Sequence, residues 1–136
     1  GIGGAKEYVT GIALEAARNG FIAVAVDLDG HGDSGGIVGG GDASFGLVSV
    51  LNWLEEQPFV DSSKIAVGGH SLGAGAARGA AYGYEKNVAT ILIAGGVGNQ
   101  SEGEGYGHLN STFPSNLLFV WAERTFSSMS TNSRRR

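Results

Sequence analysis

Residues 64–77 join a short apolar run to an alanine-rich run through Gly69-His70-Ser71-Leu72-Gly73. The apolar run has the length of a buried strand and the alanine-rich run that of a helix, so a strand, a tight turn and a helix are predicted. Glycines on both sides of Ser71 allow the strand and the helix to approach closely. Gly-x-Ser-x-Gly in this setting is typical of a nucleophile elbow, a strained turn that exposes a serine hydroxyl. The alternative is a serine in an ordinary turn.

The composition is that of one small globular domain. The 136 residues suffice for one core, and 42% hydrophobic against 16% charged residues argues against disorder. The net charge of −4, without a basic stripe before the last three arginines, argues against a nucleic-acid partner. The absence of cysteine excludes disulfides and thiolate metal sites. No apolar run reaches the ~18 residues of a membrane span. A cytoplasmic location is favoured.

Helical and strand-like hydrophobic patterns alternate along the chain. Helices are predicted over residues 5–19, 42–57 and 72–85, and strands over 21–26, 64–68, 88–94 and 117–121. This alternation favours a three-layer α/β fold, a mostly parallel sheet with helices on both faces. Asp42 is the predicted N-cap of the second helix, and Gly79 is expected to pack closely on the sheet. Residues 95–115 are predicted to be a cap-like excursion and 125–136 a disordered tail.

Four segments resemble the α/β-hydrolase superfamily. They are Gly1-Ile2-Gly3-Gly4-Ala5-Lys6-Glu7, Asp27-Leu28-Asp29-Gly30-His31-Gly32-Asp33-Ser34, residues 58–73 and residues 117–124. The first resembles the end of the oxyanion loop, and the second resembles the Asp-x-x-Gly-His-Gly-x-Ser loop. The third resembles the approach to the elbow in dienelactone-hydrolase-like and prolyl-oligopeptidase-like members. The fourth resembles the strand before the catalytic acid. The resemblance implies a partial α/β-hydrolase domain over residues 1–124.

The resemblance also implies a serine hydrolase that acts on an ester, thioester or amide carbonyl through an acyl-enzyme, with a small molecule or a peptide as substrate. Ser71 would attack the carbonyl, and the backbone N–H groups of Leu72 and Ile2 would hold the oxyanion. His31 and His70 are candidate site-lining residues. Glu123 is the only carboxylate near the position of the acid and is the candidate acid. No cofactor and no metal are expected.

Two departures from the superfamily pattern predict that the chain is truncated at both ends. The acid would fall at Thr125, which is not a carboxylate, and no histidine lies beyond His108. The superfamily's strand between the predicted strands 21–26 and 64–68 is missing, which leaves unpaired N–H and C=O groups on both. We therefore expect these strands to pair directly, to bind another chain by self-association, or to leave the fold marginally stable. Little or no turnover is expected.

Other motifs suggest other functions. Gly32-Asp33-Ser34-Gly35-Gly36 matches the nucleophile segment of chymotrypsin-like proteases, but the surroundings are α/β and only His31 precedes Ser34. The loop that starts at Asp27 lacks the Asp or Asn at its fifth position and the Glu at its twelfth that an EF-hand calcium site needs.

Two further functional classes stay open. Gly73-x-Gly75-x-x-x-Gly79 would suit a nucleotide-binding oxidoreductase, although the acidic residue expected ~20 residues later is absent. A non-catalytic α/β module that binds a ligand or a partner at the strand ends is the main alternative to a hydrolase. His108 is interpreted as a solvent-facing histidine of the excursion rather than as a base.

Overall fold

The computed structural model describes residues 3–38, 40–95 and 116–120. A 3-10 turn, Lys6–Val9, precedes the first helix. The helices are α1 (Thr10–Arg18), α2 (Leu47–Glu55) and α3 (Leu72–Gly83), and the strands are β1 (Ile65–His70), β2 (Asn87–Ile93) and β3 (Leu117–Val120). The predicted excursion after its first residue, the predicted tail, Ile2, His108 and Glu123 lie outside the described residues, so the predictions made for them stay predictions.

The three strands form one parallel sheet in the order β1-β2-β3. Val67 of β1 lies opposite Thr90 of β2, which in turn lies opposite Leu117 of β3. Parallel neighbours need a crossover connection, and α3 supplies it between β1 and β2. The predicted partial α/β fold with a parallel sheet is therefore confirmed.

The core lies between α3 and the sheet. Burial alternates along β1, where Ile65 and Val67 are buried and Ala66 and Gly68 are exposed, because successive strand side chains point to opposite faces. Leu92 of β2 is 1% exposed, and a Leu buried to this extent stabilises the fold by roughly 1.5–3 kcal/mol. The buried cluster consists of Leu51, Ile65, Val67, Ala74, Ala77, Ala80, Tyr84 and Leu92. Its three α3 alanines keep the helix backbone near the strands.

The predicted strand over residues 21–26 is wrong. The segment has no helix or strand assignment and joins no ladder with the described strands. A strand is defined by the backbone hydrogen bonds of a neighbour, and an apolar run without that neighbour does not become one. Its side chains are also not buried as predicted, since Phe21, Ile22 and Val24 are 67%, 59% and 48% exposed.

The predicted helix over residues 5–19 is confirmed as the 3-10 turn followed by α1, but its apolar face is not buried. No residue of α1 is buried, and Ile12 is 57% exposed. Among the described elements, α1 packs on the preceding turn rather than on the sheet. The helical spacing of the apolar residues was therefore enough to predict the helix, but it does not determine which element the helix packs against.

Asp42 is not the N-cap of α2, contrary to the prediction. Its carboxylate accepts hydrogen bonds from the N–H groups of Ser44 and Gly46, each at 2.8 Å, and from the Ser44 hydroxyl. These bonds stabilise a separate turn over residues 42–46, and Gly46 takes the N-cap position when α2 begins at Leu47. The carboxylate caps a turn instead of a helix because its nearest free amides lie in that turn.

Gly79 of α3 meets the turn over residues 42–46 rather than the sheet, so its predicted packing partner is wrong. A Cβ at position 79 would overlap the carbonyl group of Ala43 and lie 2.8 Å from the Ser44 nitrogen. Only glycine allows the two backbones to approach this closely. The contact attaches the turn before α2 to the outer side of α3.

Alanine substitutions in α3 test this contact. We expect Gly79→Ala to lower the free energy of unfolding by about 1–3 kcal/mol, since the added methyl group forces the backbones apart. Gly73→Ala is the matched control, because its Cβ would meet no atom within 4 Å, and it should raise the free energy of unfolding by up to about 1 kcal/mol. Urea unfolding followed by circular dichroism measures both. Equal effects of the two substitutions would contradict the contact.

Candidate functional site

Ser71 is the single residue between β1, which ends at His70, and α3, which begins at Leu72. Its backbone has φ 56° and ψ −117°, a region that residues with a side chain rarely adopt. Such a conformation costs on the order of 1–3 kcal/mol and persists only where the surrounding structure enforces it. Ser71 is exposed. The chain therefore turns sharply here and presents a hydroxyl at the surface.

Backbone hydrogen bonds on both sides hold Ser71 in this conformation. Its N–H donates to the carbonyl oxygen of Ile93, the last residue of β2, at 3.0 Å. Its own carbonyl oxygen accepts from the N–H groups of Ala74 at 3.0 Å and Gly75 at 3.2 Å in the first turn of α3. The sheet fixes one side of the residue and the helix the other, which offsets the local strain.

The first turn of α3 lies directly against the end of β1 at Gly69. A Cβ at position 69 would overlap the Gly73 carbonyl group and lie 2.7 Å from the Ala74 nitrogen. A side chain at position 69 would push the helix away and open the turn at Ser71. The two glycines of the motif thus have different roles. Gly69 has no room for a side chain, whereas Gly73 supplies the carbonyl group that lies against it and has open space where its own Cβ would be.

The N-terminus of α3 leaves one amide free directly after Ser71. The N–H groups of Ala74 and Gly75 donate to the Ser71 carbonyl oxygen, whereas the Leu72 N–H has no acceptor in the described part of the chain. The twelve residues of α3 add the partial positive charge of a helix N-terminus. A negatively charged oxygen bound near Ser71 could accept a hydrogen bond there.

A family model, X-Pro dipeptidyl-peptidase (S15 family), matches residues 4–136. The chain belongs to this family. S15 peptidases are serine peptidases of the α/β-hydrolase superfamily, so the resemblance drawn from the sequence is confirmed. Membership supports a hydrolase of the serine-peptidase type and a peptide substrate. No curated protein and no solved structure matches the chain significantly.

The two described histidines of this S15 chain lie in different settings. His70 is exposed and directly precedes Ser71. His31 is 6% exposed, and its Nδ1 lies 3.0 Å from the carbonyl oxygen of Asp29. A carbonyl oxygen only accepts, so Nδ1 carries the proton and the ring is held within its own loop. In the described residues, no hydrogen bond joins either ring to the Ser71 hydroxyl. Their site-lining roles stay predictions.

Lys6 and Asp27 form a clamp between the 3-10 turn and the loop of residues 27–34. The Lys6 N–H donates to Asp27 Oδ1 at 2.6 Å, and its Nζ donates to Asp27 Oδ2 at 2.7 Å and to Asp33 Oδ2 at 2.9 Å. The bond from the Lys6 ammonium, with the N–H bonds of Lys6 and Asp33, lowers the pKa of Asp27 to about 2. The bonds to Asp27 and Asp33 raise the pKa of Lys6. Sequence reasoning missed this clamp.

Two of the alternative motifs, the chymotrypsin-like segment around Ser34 and the calcium-like loop that starts at Asp27, contain residues of the clamp or bonded to it. The Ser34 hydroxyl donates to the Asp27 carbonyl oxygen at 2.8 Å, so it holds the loop together. The Asp27 carboxylate, which starts the calcium-like pattern, is neutralised by Lys6. Over the described residues, no group of three or more His, Asp or Glu side chains is arranged to hold a metal ion.

The same part of the chain contains no helix long and apolar enough to cross a membrane.

Acid titration tests the clamp. The folded-state pKa of Asp27, about 2, lies below its ordinary value of 3.8. The stability that the clamp contributes is therefore present above about pH 4 and is lost as the pH falls toward 2. We expect the free energy of unfolding to fall across this range, and Asp27→Asn to make the fall smaller while lowering stability at neutral pH.

Glu15→Gln is the control for this titration, because Glu15 is exposed and pairs at 3.5 Å with Arg18 of its own helix. Its acid profile should match that of the unmodified chain. An Asp27→Asn profile that also matches the unmodified chain would contradict the clamp. Urea unfolding at a series of pH values makes the comparison.

Proposed function

We propose that Ser71 is the catalytic nucleophile of a serine hydrolase that acts on an amide or ester carbonyl, with peptides as the substrate class. The observation that carries the proposal is the exposed serine with φ 56° at the β1–α3 junction of an S15 family chain. A strained, exposed serine between a strand and a helix N-terminus is the arrangement that this type of nucleophile requires. Family membership does not by itself identify the reacting atom, and the proposal assigns it to the Ser71 hydroxyl oxygen.

The reaction begins when the Ser71 oxygen attacks the carbonyl carbon. A bond forms between Oγ and carbon, the carbonyl electron pair moves to its oxygen, and the hydroxyl proton leaves to a base. The resulting oxyanion accepts a hydrogen bond from the Leu72 N–H, and loss of one such donor typically costs about 3 kcal/mol of transition-state stabilisation. The resemblance assigns the second donor to Ile2. Expulsion of the amine or alcohol leaves an acyl-enzyme, which water hydrolyses.

Among the described residues, none that could act as the general base is hydrogen-bonded to Ser71. In a complete triad a histidine both accepts the hydroxyl proton and donates it to the leaving group. His70 shares a tight turn with Ser71, and His31 is bonded within its own loop at Nδ1. Glu123, the candidate acid, lies outside the described residues. The resemblance places Thr125, which is not a carboxylate, where the acid would fall, and we expect slow acylation and little turnover from this chain.

A fluorophosphonate probe tests the assignment of the nucleophile. We expect slow formation of one covalent adduct, located on Ser71 by peptide mass spectrometry, and no adduct in Ser71→Ala. Ser34→Ala is the matched control, since Ser34 is the serine of the other protease-like motif, and it should label like the unmodified chain. An adduct that persists in Ser71→Ala would contradict the proposal. A folded chain without any adduct would favour the binding-module alternative.

The leaving group provides a second test. A p-nitrophenolate ion departs without a proton, whereas an amide nitrogen must be protonated as its bond breaks. We therefore expect p-nitrophenyl acetate to acetylate Ser71 and release at most about one equivalent of product, while an X-Pro anilide gives no measurable turnover. Ser71→Ala should remove the release above the spontaneous rate. Equal release from Ser71→Ala would show that another residue reacts.

A further inference from the structure

We propose that Gly95 is a positioning residue for the reaction at Ser71, because it determines where the first turn of α3 and the Leu72 N–H lie. This role rests on the proposed function, in which Ser71 attacks a carbonyl and the Leu72 N–H holds the oxyanion. Gly95 lies outside the Gly-x-Ser-x-Gly motif, and the sequence predicted only the start of a cap-like excursion there.

The segment that follows β2 is bonded both to the turn at Ser71 and to β3. The last residue of β2 is Ile93, whose carbonyl oxygen accepts the Ser71 N–H at 3.0 Å. The next residue, Ala94, has φ 46°, a value that residues with a side chain rarely adopt. Its N–H donates to the carbonyl oxygen of Val120 in β3 at 2.9 Å. The chain therefore leaves β2 through a strained turn that its neighbours on both sides hold in place.

This strained turn leads to Gly95, which is buried against Ala74 in the first turn of α3. A Cβ at position 95 would lie 2.4 Å from the Ala74 Cβ, far inside the contact distance of two carbon atoms. Ala74 is 1% exposed, and a methyl group has no rotamer by which it could move aside. The φ of Gly95 is not in the left-handed region, so the lack of space alone requires glycine here.

The contact acts on the atoms proposed to react. The Ala74 N–H donates to the Ser71 carbonyl oxygen at 3.0 Å, and Leu72 lies between these two residues in the chain. A side chain at position 95 would displace Ala74 and shift the peptide group that carries the Leu72 N–H. An oxyanion donor works only within about 2.7–3.1 Å of the oxygen, and a displacement of about 1 Å can cost ~100-fold in rate.

Gly69 limits the same helical turn from the other side. The space for its Cβ is taken by the Gly73 carbonyl group at the end of β1, whereas the space at Gly95 is taken by the Ala74 methyl group at the end of β2. The first turn of α3 is thus held between the ends of two strands. Only the second of these contacts involves a side chain, so only that one can be relieved by a substitution in the helix.

Moving one methyl group across the contact tests the role of Gly95. In Gly95→Ala the methyl groups overlap, whereas in the double variant Ala74→Gly/Gly95→Ala the added Cβ meets its nearest atoms at ordinary distances of 3.7 and 3.9 Å. We expect Gly95→Ala to slow fluorophosphonate labelling of Ser71 by about tenfold or more. The double variant should label within about threefold of Ala74→Gly alone, with rates measured by intact mass spectrometry.

Gly79→Ala is the control for a general loss of helix stability. Its added methyl group overlaps Ala43 on the outer side of α3, so it should destabilise the helix without slowing the labelling of folded chains. Circular dichroism establishes that each variant is folded under the labelling conditions. Equal slowing by Gly79→Ala, an unchanged rate in Gly95→Ala, or a double variant as slow as Gly95→Ala would overturn the role of Gly95.

Two further outcomes complete the test. Ala74→Ser adds a single atom from the helix side of the contact, and it replaces Gly95→Ala if that variant does not fold. It should slow labelling by about threefold or more, and a folded Ala74→Ser chain that labels at the unmodified rate would overturn the role of Gly95. An unmodified, folded chain that does not label at Ser71 would instead overturn the proposed function, and the role of Gly95 with it.

Discussion

The close approach of the first turn of α3 to the end of β1 determines the rest of this structure. It is a contact between backbones, possible because position 69 carries no side chain. The chain can reverse so tightly only if Ser71 adopts a positive φ, and that conformation directs the hydroxyl away from the core. The same turn begins α3 beside that hydroxyl, so the Leu72 N–H lies next to it. Fold and candidate chemistry thus depend on one packing constraint.

The sequence predicts the β1–α3–β2 unit well because its determinants are local. An apolar run, a glycine-bounded serine and an alanine-rich helix follow one another within residues 64–83. The predicted strand over residues 21–26 failed because a strand also needs a neighbour, which no local pattern supplies. The clamp was missed for a similar reason, since 21 positions separate Lys6 from Asp27 and their pairing is a tertiary contact.

The candidate site shows the same division between local and distant determinants. Ser71 and Leu72 are neighbours in sequence, so one motif was enough to bring them together. The histidine and the acid of a triad come from distant segments, and the described histidines are not bonded to Ser71. The S15 family match supports the peptidase class, whereas the role of each residue is a proposal based on the geometry of the turn.

The most direct test of the central claim is a crystal structure of the chain after phosphonylation. If Ser71 is the nucleophile, its oxygen is bonded to phosphorus, and a phosphoryl oxygen lies about 2.7–3.1 Å from the Leu72 nitrogen, where a catalytic oxyanion would lie. The backbone at Ser71 keeps its positive φ. Phosphorus on another residue, a phosphoryl oxygen turned away from the Leu72 N–H, or a negative φ at Ser71 would contradict the account.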